Sequence, residues 1–219
     1  LADALRSGVE EACDSRGRGG FKRIRAQGQK EPIEFEVYYK EGGNARPITY
    51  ELAIDIDHSG RPFILKERLR QRRKGQKHGW PFSFLVLNCG KGIAWKGDQG
   101  GRQLKEDQGD FDLSDLMESI QSGESEEESK ETEVVELEDI RKLGIATLGS
   151  LKQHPRISAF RKFIEGWYLS YFTPDAARSL PLAGPQKHLN IHGDNLGNVV
   201  QFMEREHPKR FQLILNRIA

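Results

Sequence analysis

The chain has 219 residues, 34 Lys or Arg against 33 Asp or Glu, a formal net charge of +1, 36% apolar and 31% charged residues. No run approaches the roughly 18 apolar residues of a membrane span, and no basic-then-apolar leader opens the sequence, so membrane insertion is excluded and a cytoplasmic protein is expected. Cys13 and Cys89 are far apart and lack a CxxC partner, which argues against a disulfide framework or zinc cluster and for a reducing compartment.

Leu1, Leu5, Val9 and Ala12 fall on one helical face, and Gly17, Gly19 and Gly20 end that helix. From Phe21 the period becomes alternating. Ile33, Phe35, Val37 and Tyr39, then Ile48, Tyr50, Leu52, Ile54 and Ile56, predict a long hairpin around Gly42-Gly43-Asn44. A further strand is expected around Phe63 to Leu69, and a second hairpin from Phe82 to Lys96 around Asn88-Cys89-Gly90. One packed and one wet face suit such a sheet.

Residues 105–139 hold fifteen Asp or Glu against two Lys, the signature of a flexible linker, with a transient helix expected at Phe111 to Ile120. Beyond it the pattern is helical: Ile140, Leu143, Ile145, Leu148 and Leu151, then after Pro155 Ile157, Phe160, Phe163 and Ile164. Tyr168 to Phe172 reads as a short strand. After a loop from Ser179 to Asp194, Asp194 or Asn195 is placed to cap a helix carrying Leu196, Val199, Val200 and Met203, and Pro208 opens a last helix. The expected division is 1–104, a β-rich lobe with its N-terminal helix; 105–139, the acidic linker; and 140–219, a mainly helical part.

Three motifs invite chemistry. The Ser15 to Phe21 run is Gly-rich but lacks GxxxxGK[ST] spacing and lies between helix and strand in the wrong order for a phosphate loop, so a helix-ending turn explains it better than a free-standing nucleotide site. The block from Lys66 to Trp80 is dense in Lys and Arg. It reads either as a nucleic-acid surface, with Trp80 as a stacking platform, or as a solvated strand end paired with the acidic residues 124–133. His188, His192 and Asp194 have ligand-like spacing, but Asn190 and Gly193 place them in a loop, and no metal site is expected. No catalytic constellation is complete.

The order of these features, above all LGIATLGSLKQHPRISAFRKFIEGWYLSYFTP at 143–174 and GDNLGNVVQFMEREHPKRF at 193–211, resembles the RecF- and SMC-related P-loop ATPases. The resemblance implies an α+β fold: the antiparallel β-sheet lobe of an ABC/SMC-type ATPase head followed by a helical subdomain. In that family a Walker A loop precedes the first helix, while the signature and Walker B motifs follow later, so the chain is expected to be an internal segment of a longer ATPase. ATP and magnesium would belong to the parent and not to this segment alone.

By the same resemblance Arg16 and Arg18, with Gly19 and Gly20 permitting close backbone approach, lie near the nucleotide phosphates. In that family heads pair as homodimers on ATP, and the resemblance implies that DNA, where bound, would lie across Arg68, Arg70, Arg72, Arg73, Lys74 and Lys77. The implied function is ATP-coupled head pairing in DNA repair or defence. The alternative is a non-enzymatic nucleic-acid-binding or protein-interaction module.

Overall fold

The structure, a computed structural model, describes residues 1–40, 46–98, 100–104, 113–122, 131–167, 171–178 and 184–218. It divides into two compact units, Leu1–Gly166 and Trp167–Ala219. The expected turn at Gly42-Gly43-Asn44, and the centre of the acidic stretch, lie outside the described residues.

In the first unit the alternating segments form β1 (Ile33–Tyr39), β2 (Ile48–Ile56), β3 (Pro62–Gln71), β4 (Phe82–Asn88), β5 (Lys91–Trp95) and β6 (Thr132–Glu136). They make one antiparallel sheet whose spatial order is the chain order. Register aligns Val37 with Tyr50, Tyr50 with Leu69, and Leu69 with Leu85, so every second residue enters one apolar layer. Cys89 (φ 47°) and Gly90 (φ 77°) both take the left-handed conformation that a two-residue hairpin between β4 and β5 demands.

Helices α1 (Ala2–Ser7), α2 (Val9–Asp14), α5 (Gly144–Leu148) and α6 (Pro155–Glu165) complete this core. Pro155 sits at the start of α6, where its missing N–H costs nothing. Phe160 of that helix is fully buried, 4.8 Å from the Tyr50 ring, and Phe163 stacks on Tyr39 at 4.2 Å. The expected single N-terminal helix is broken at Gly8 (φ +92°), whose missing side chain admits the Arg141 carbonyl: a Cβ there would lie 3.1 Å from its oxygen. That carbonyl accepts the Val9 N–H at 2.9 Å.

Phe21 does not begin a strand. Phe21–Ile24 is a helical turn, α3, anchored by the buried Phe21 ring. The acidic stretch is also more ordered than its charge suggests. Leu113–Ser122 forms α4, which presents Leu113, Met117 and Ile120 to the core, and 132–136 is the sheet's last strand. Thr132, Val134 and Val135 supply enough β-branched surface to join β5 despite the flanking carboxylates. The division expected at 139/140 therefore differs from the structure, in which α5 and α6 share the sheet's core and the units part after Gly166.

In the second unit, α7 (Pro174–Ala177) precedes α8 (Leu196–Glu206) and α9 (Pro208–Ile218). Residues 168–170 of the expected strand lie outside the described residues, but Thr173 N–H donates to the His192 carbonyl at 3.3 Å. Asn195 is the N-cap residue of α8, as expected, yet its side chain makes no capping bond. It holds the preceding loop instead, accepting the Asn190 N–H at 2.7 Å and donating to the His188 carbonyl at 2.8 Å.

Candidate functional site

Arg16, Arg18, Gly19 and Gly20 are gathered into one tight turn after α2. Arg16 (φ 57°), Gly17 (φ 72°), Gly19 (φ 74°) and Gly20 (φ 88°) all take left-handed backbone, which folds the chain back so that Gly20 N–H reaches the Cys13 carbonyl at 3.2 Å. Both arginines then close on one carboxylate. Arg16 Nη2 donates to Asp3 Oδ1 at 2.8 Å, and Arg18 Nη2 to Asp3 Oδ2 at 2.6 Å.

Arg18 also donates to the Ala12 carbonyl and to Ser15 Oγ, the latter at 3.1 Å. Burial works to raise the Asp3 carboxyl, but the Arg18 hydrogen bond and the two guanidinium charges win and hold it below the usual range. Two cations on one anion leave a positive surplus. About a third of each arginine side chain remains exposed.

The basic block does not form one surface. Arg68 is only 4% exposed: its Nε donates to Ser83 Oγ and its Nη2 to the Leu104 carbonyl, both at 2.8 Å, with Glu51 at 3.8 Å. Arg70 is paired with Glu36 at 3.1 Å and with Glu51. Arg68 is thus corrected from nucleic-acid contact to internal brace, and Arg70 is held by carboxylates on neighbouring strands. The cause is sheet register, which sets Arg68 beside Glu51. On the same strands Glu34, Glu36, Glu51 and Lys66 line an open groove of about 360 Å³ whose charge balance disfavours a polyanion.

Arg72, Arg73, Lys74 and Lys77 are exposed in the β3–β4 loop. Gln76 organises that loop, accepting the Arg73 N–H at 3.0 Å and donating to the Trp80 carbonyl at 2.8 Å. Trp80 remains 49% exposed beside them.

Two residues that no sequence motif marks lie at the edge of this loop. Arg46 donates to the Arg72 carbonyl at 2.8 Å. Arg156, from the first turn of α6, lies over the Phe84 ring at 4.1 Å, while Arg73 lies over Phe82 at 3.9 Å. Arg73 Nη2 donates to the Gly101 carbonyl at 3.2 Å and Arg156 Nη2 to the adjacent Gly100 carbonyl at 2.5 Å. Burial first, with the like charges of Arg46 and Arg73, brings the Arg156 guanidinium down to about 10 against the opposing pull of Asp98 and Glu131. Positions 46, 73 and 156 are scattered, so only tertiary structure could assemble them.

The remaining buried polar groups serve the fold. His154 donates from Nδ1 to the Trp95 carbonyl at 3.2 Å, and its Nε2 is hydrogen-bonded to Glu133 Oε1 at 2.6 Å. Among the described residues no group of three or more His, Cys, Asp or Glu is placed to hold a metal ion, and no helix is long and apolar enough to cross a membrane.

No curated protein and no solved structure matches the chain. Residues 1–217 match the family model described as "AAA domain, putative AbiEii toxin, Type IV TA system". The mixed α+β architecture, an antiparallel sheet with helices against it, is consistent with that assignment. The chain belongs to this family of AAA-type P-loop ATPase domains.

Proposed function

We propose that the chain works in the nucleotide-binding head of a RecF/SMC-like ATPase, coupling ATP binding to the pairing of two heads. The supporting observation is the turn after α2, where Arg16 and Arg18 stand on Asp3 with surplus positive charge beside Gly19 and Gly20. Phosphoryl transfer is catalysed largely by positioned positive charge, and guanidiniums held in place by a carboxylate are prepared for that role. No GxxxxGK[ST] occurs among these 219 residues, so in this reading ATP and magnesium are held by the family's Walker motifs and the arginine turn contributes to the phosphates from one side.

The test uses the full-length natural protein. Magnesium-dependent ATP hydrolysis and an ATP-dependent shift from monomer to dimer are expected, with Arg18→Ala lowering hydrolysis about tenfold or more, as loss of one positioned cation does. Unchanged hydrolysis in folded Arg16→Ala and Arg18→Ala variants would overturn the role of the turn, and an absence of ATP binding would overturn the reading itself.

A second reading is favoured by one observation, the exposed cationic loop of Arg72, Arg73, Lys74 and Lys77 with Trp80 beside it. It is a nucleic-acid-binding surface, used by the heads or independently of ATP. Charge reversal of Arg72, Arg73 and Lys74 should weaken DNA binding and flatten its salt dependence; unchanged affinity would leave the loop a solvated connection.

A further inference from the structure

Arg46, Arg73 and Arg156 come from three separate parts of the chain and converge at one end of the sheet. Arg73 and Arg156 are neighbours because their guanidiniums donate to consecutive carbonyls, Gly101 and Gly100. Arg46 joins them through the Arg72 carbonyl. The carbonyl-bearing segment is fixed against β4: a Cβ at Gly101 would lie 2.8 Å from the Ser83 oxygen, and one at Gly100 lies 3.0 Å from that of Lys96.

Among the described residues, every hydrogen bond these guanidiniums make is to a neutral carbonyl, and Arg73 and Arg156 add aromatic faces. None of the three is ion-paired there, in contrast to Arg16, Arg18, Arg68 and Arg70, each of which has a carboxylate. Arg73 and Arg156 pack on aromatic rings, and Asp98 and Glu131 act on Arg156 only from beyond ion-pair distance, so three like charges are gathered with incomplete compensation that a bound anion would relieve. The aromatic faces and carbonyls hold Arg73 and Arg156 in place, and a guanidinium has five N–H donors, so each keeps N–H groups beyond those given to carbonyls for phosphate oxygens.

We propose that Arg46, Arg73 and Arg156 form a phosphate site for a nucleic-acid strand. The inference rests on the nucleic-acid reading of the β3–β4 loop and extends it to two residues outside that loop. A strand is favoured over a single phosphate because Arg72, Lys74 and Lys77 continue the positive surface and Trp80 offers a ring for a base.

The experiment is fluorescence anisotropy of the 219-residue protein with a labelled single-stranded oligonucleotide across a salt series. Arg46→Gln, Arg73→Gln and Arg156→Gln are compared with Lys74→Glu/Lys77→Glu, and thermal melts verify folding. Each arginine variant should raise Kd about tenfold and reduce the salt slope by about 1. Because Arg73 is exposed whereas Arg156 is half-buried, Arg73→Gln keeps the test valid if Arg156→Gln does not fold.

Unchanged affinity in Arg46→Gln and Arg73→Gln, with weakening in Lys74→Glu/Lys77→Glu, overturns this site and spares the loop reading. No binding by the unmodified protein at low salt overturns both. Inorganic phosphate or ATP displacing the oligonucleotide at equal phosphate concentration overturns the assignment to a strand.

Discussion

The Glu67 carboxylate, fully buried on β3, accepts the backbone N–H of Gly144 at 2.5 Å and of Ile145 at 3.0 Å, seventy-seven and seventy-eight positions further along the chain. Tyr50 adds its O–H at 3.0 Å. One side chain thus satisfies the free donors at the start of α5 and fastens that helix to the sheet. Glu67→Ala leaves three buried donors without an acceptor and should cost about 3 kcal/mol, against about 1 kcal/mol for Tyr50→Phe. Urea unfolding midpoints would show the difference, and equal costs would argue against the network.

The same carboxyl gives stability a pH dependence. Burial dominates the three hydrogen bonds and raises Glu67 from 4.5 to about 7. Between those values the folded state binds a proton that the unfolded state has lost, so stability falls as pH rises through the window and levels off above it. At about 1.4 kcal/mol per pH unit the loss is about 3 kcal/mol. Glu67→Gln should remove this slope; an identical slope in the variant would assign the effect to another group.

Asp3 has the opposite sign. Its carboxyl is held below 3.8 by Arg18 and Arg16, so the stability it adds is present above that value and is lost as pH falls through the lowered one. Asp3→Asn should cost about 1 kcal/mol near neutral pH, since the pairs are partly exposed, and should blunt acid unfolding. Acid titrations of both proteins by circular dichroism test this.

Gly144 is small for steric reasons. A Cβ there would lie 3.0 Å from Glu67 Oε2 and would run into Leu87. Gly144→Ala should therefore destabilise by about 1–3 kcal/mol even though alanine favours helix. A neutral or raised melting temperature would mean that α5 shifts freely.

Phe160 and Phe163 should separate by burial. Phe160→Ala empties a fully enclosed position between Tyr39 and Tyr50 and should cost about 3–5 kcal/mol. Phe163→Ala loses mainly a stacked pair with Tyr39 and should cost clearly less, about 1–2 kcal/mol. Equal losses would place the two rings in equivalent environments.

Strand positions, the Cys89-Gly90 hairpin, the Pro155 and Pro208 helix starts and the turn at Arg16–Gly20 were legible because each depends on neighbours within a few residues: side-chain alternation, glycine's backbone freedom, proline's fixed φ. The break at Gly8, the short helix at Phe21 and the strand at 132–136 were not, because each depends on a contact with a distant segment. Charge density showed the same limit. It identified the basic block but gave no sign that Glu51 would hold Arg68 and Arg70, or that Arg46 and Arg156 would stand beside Arg73. Local chemistry decides which elements form and where they turn. Register and packing decide which charges are neutralised and which are left for a ligand, because an ion pair or an uncompensated cation is a relation between residues that only the folded chain brings within a few ångströms of each other.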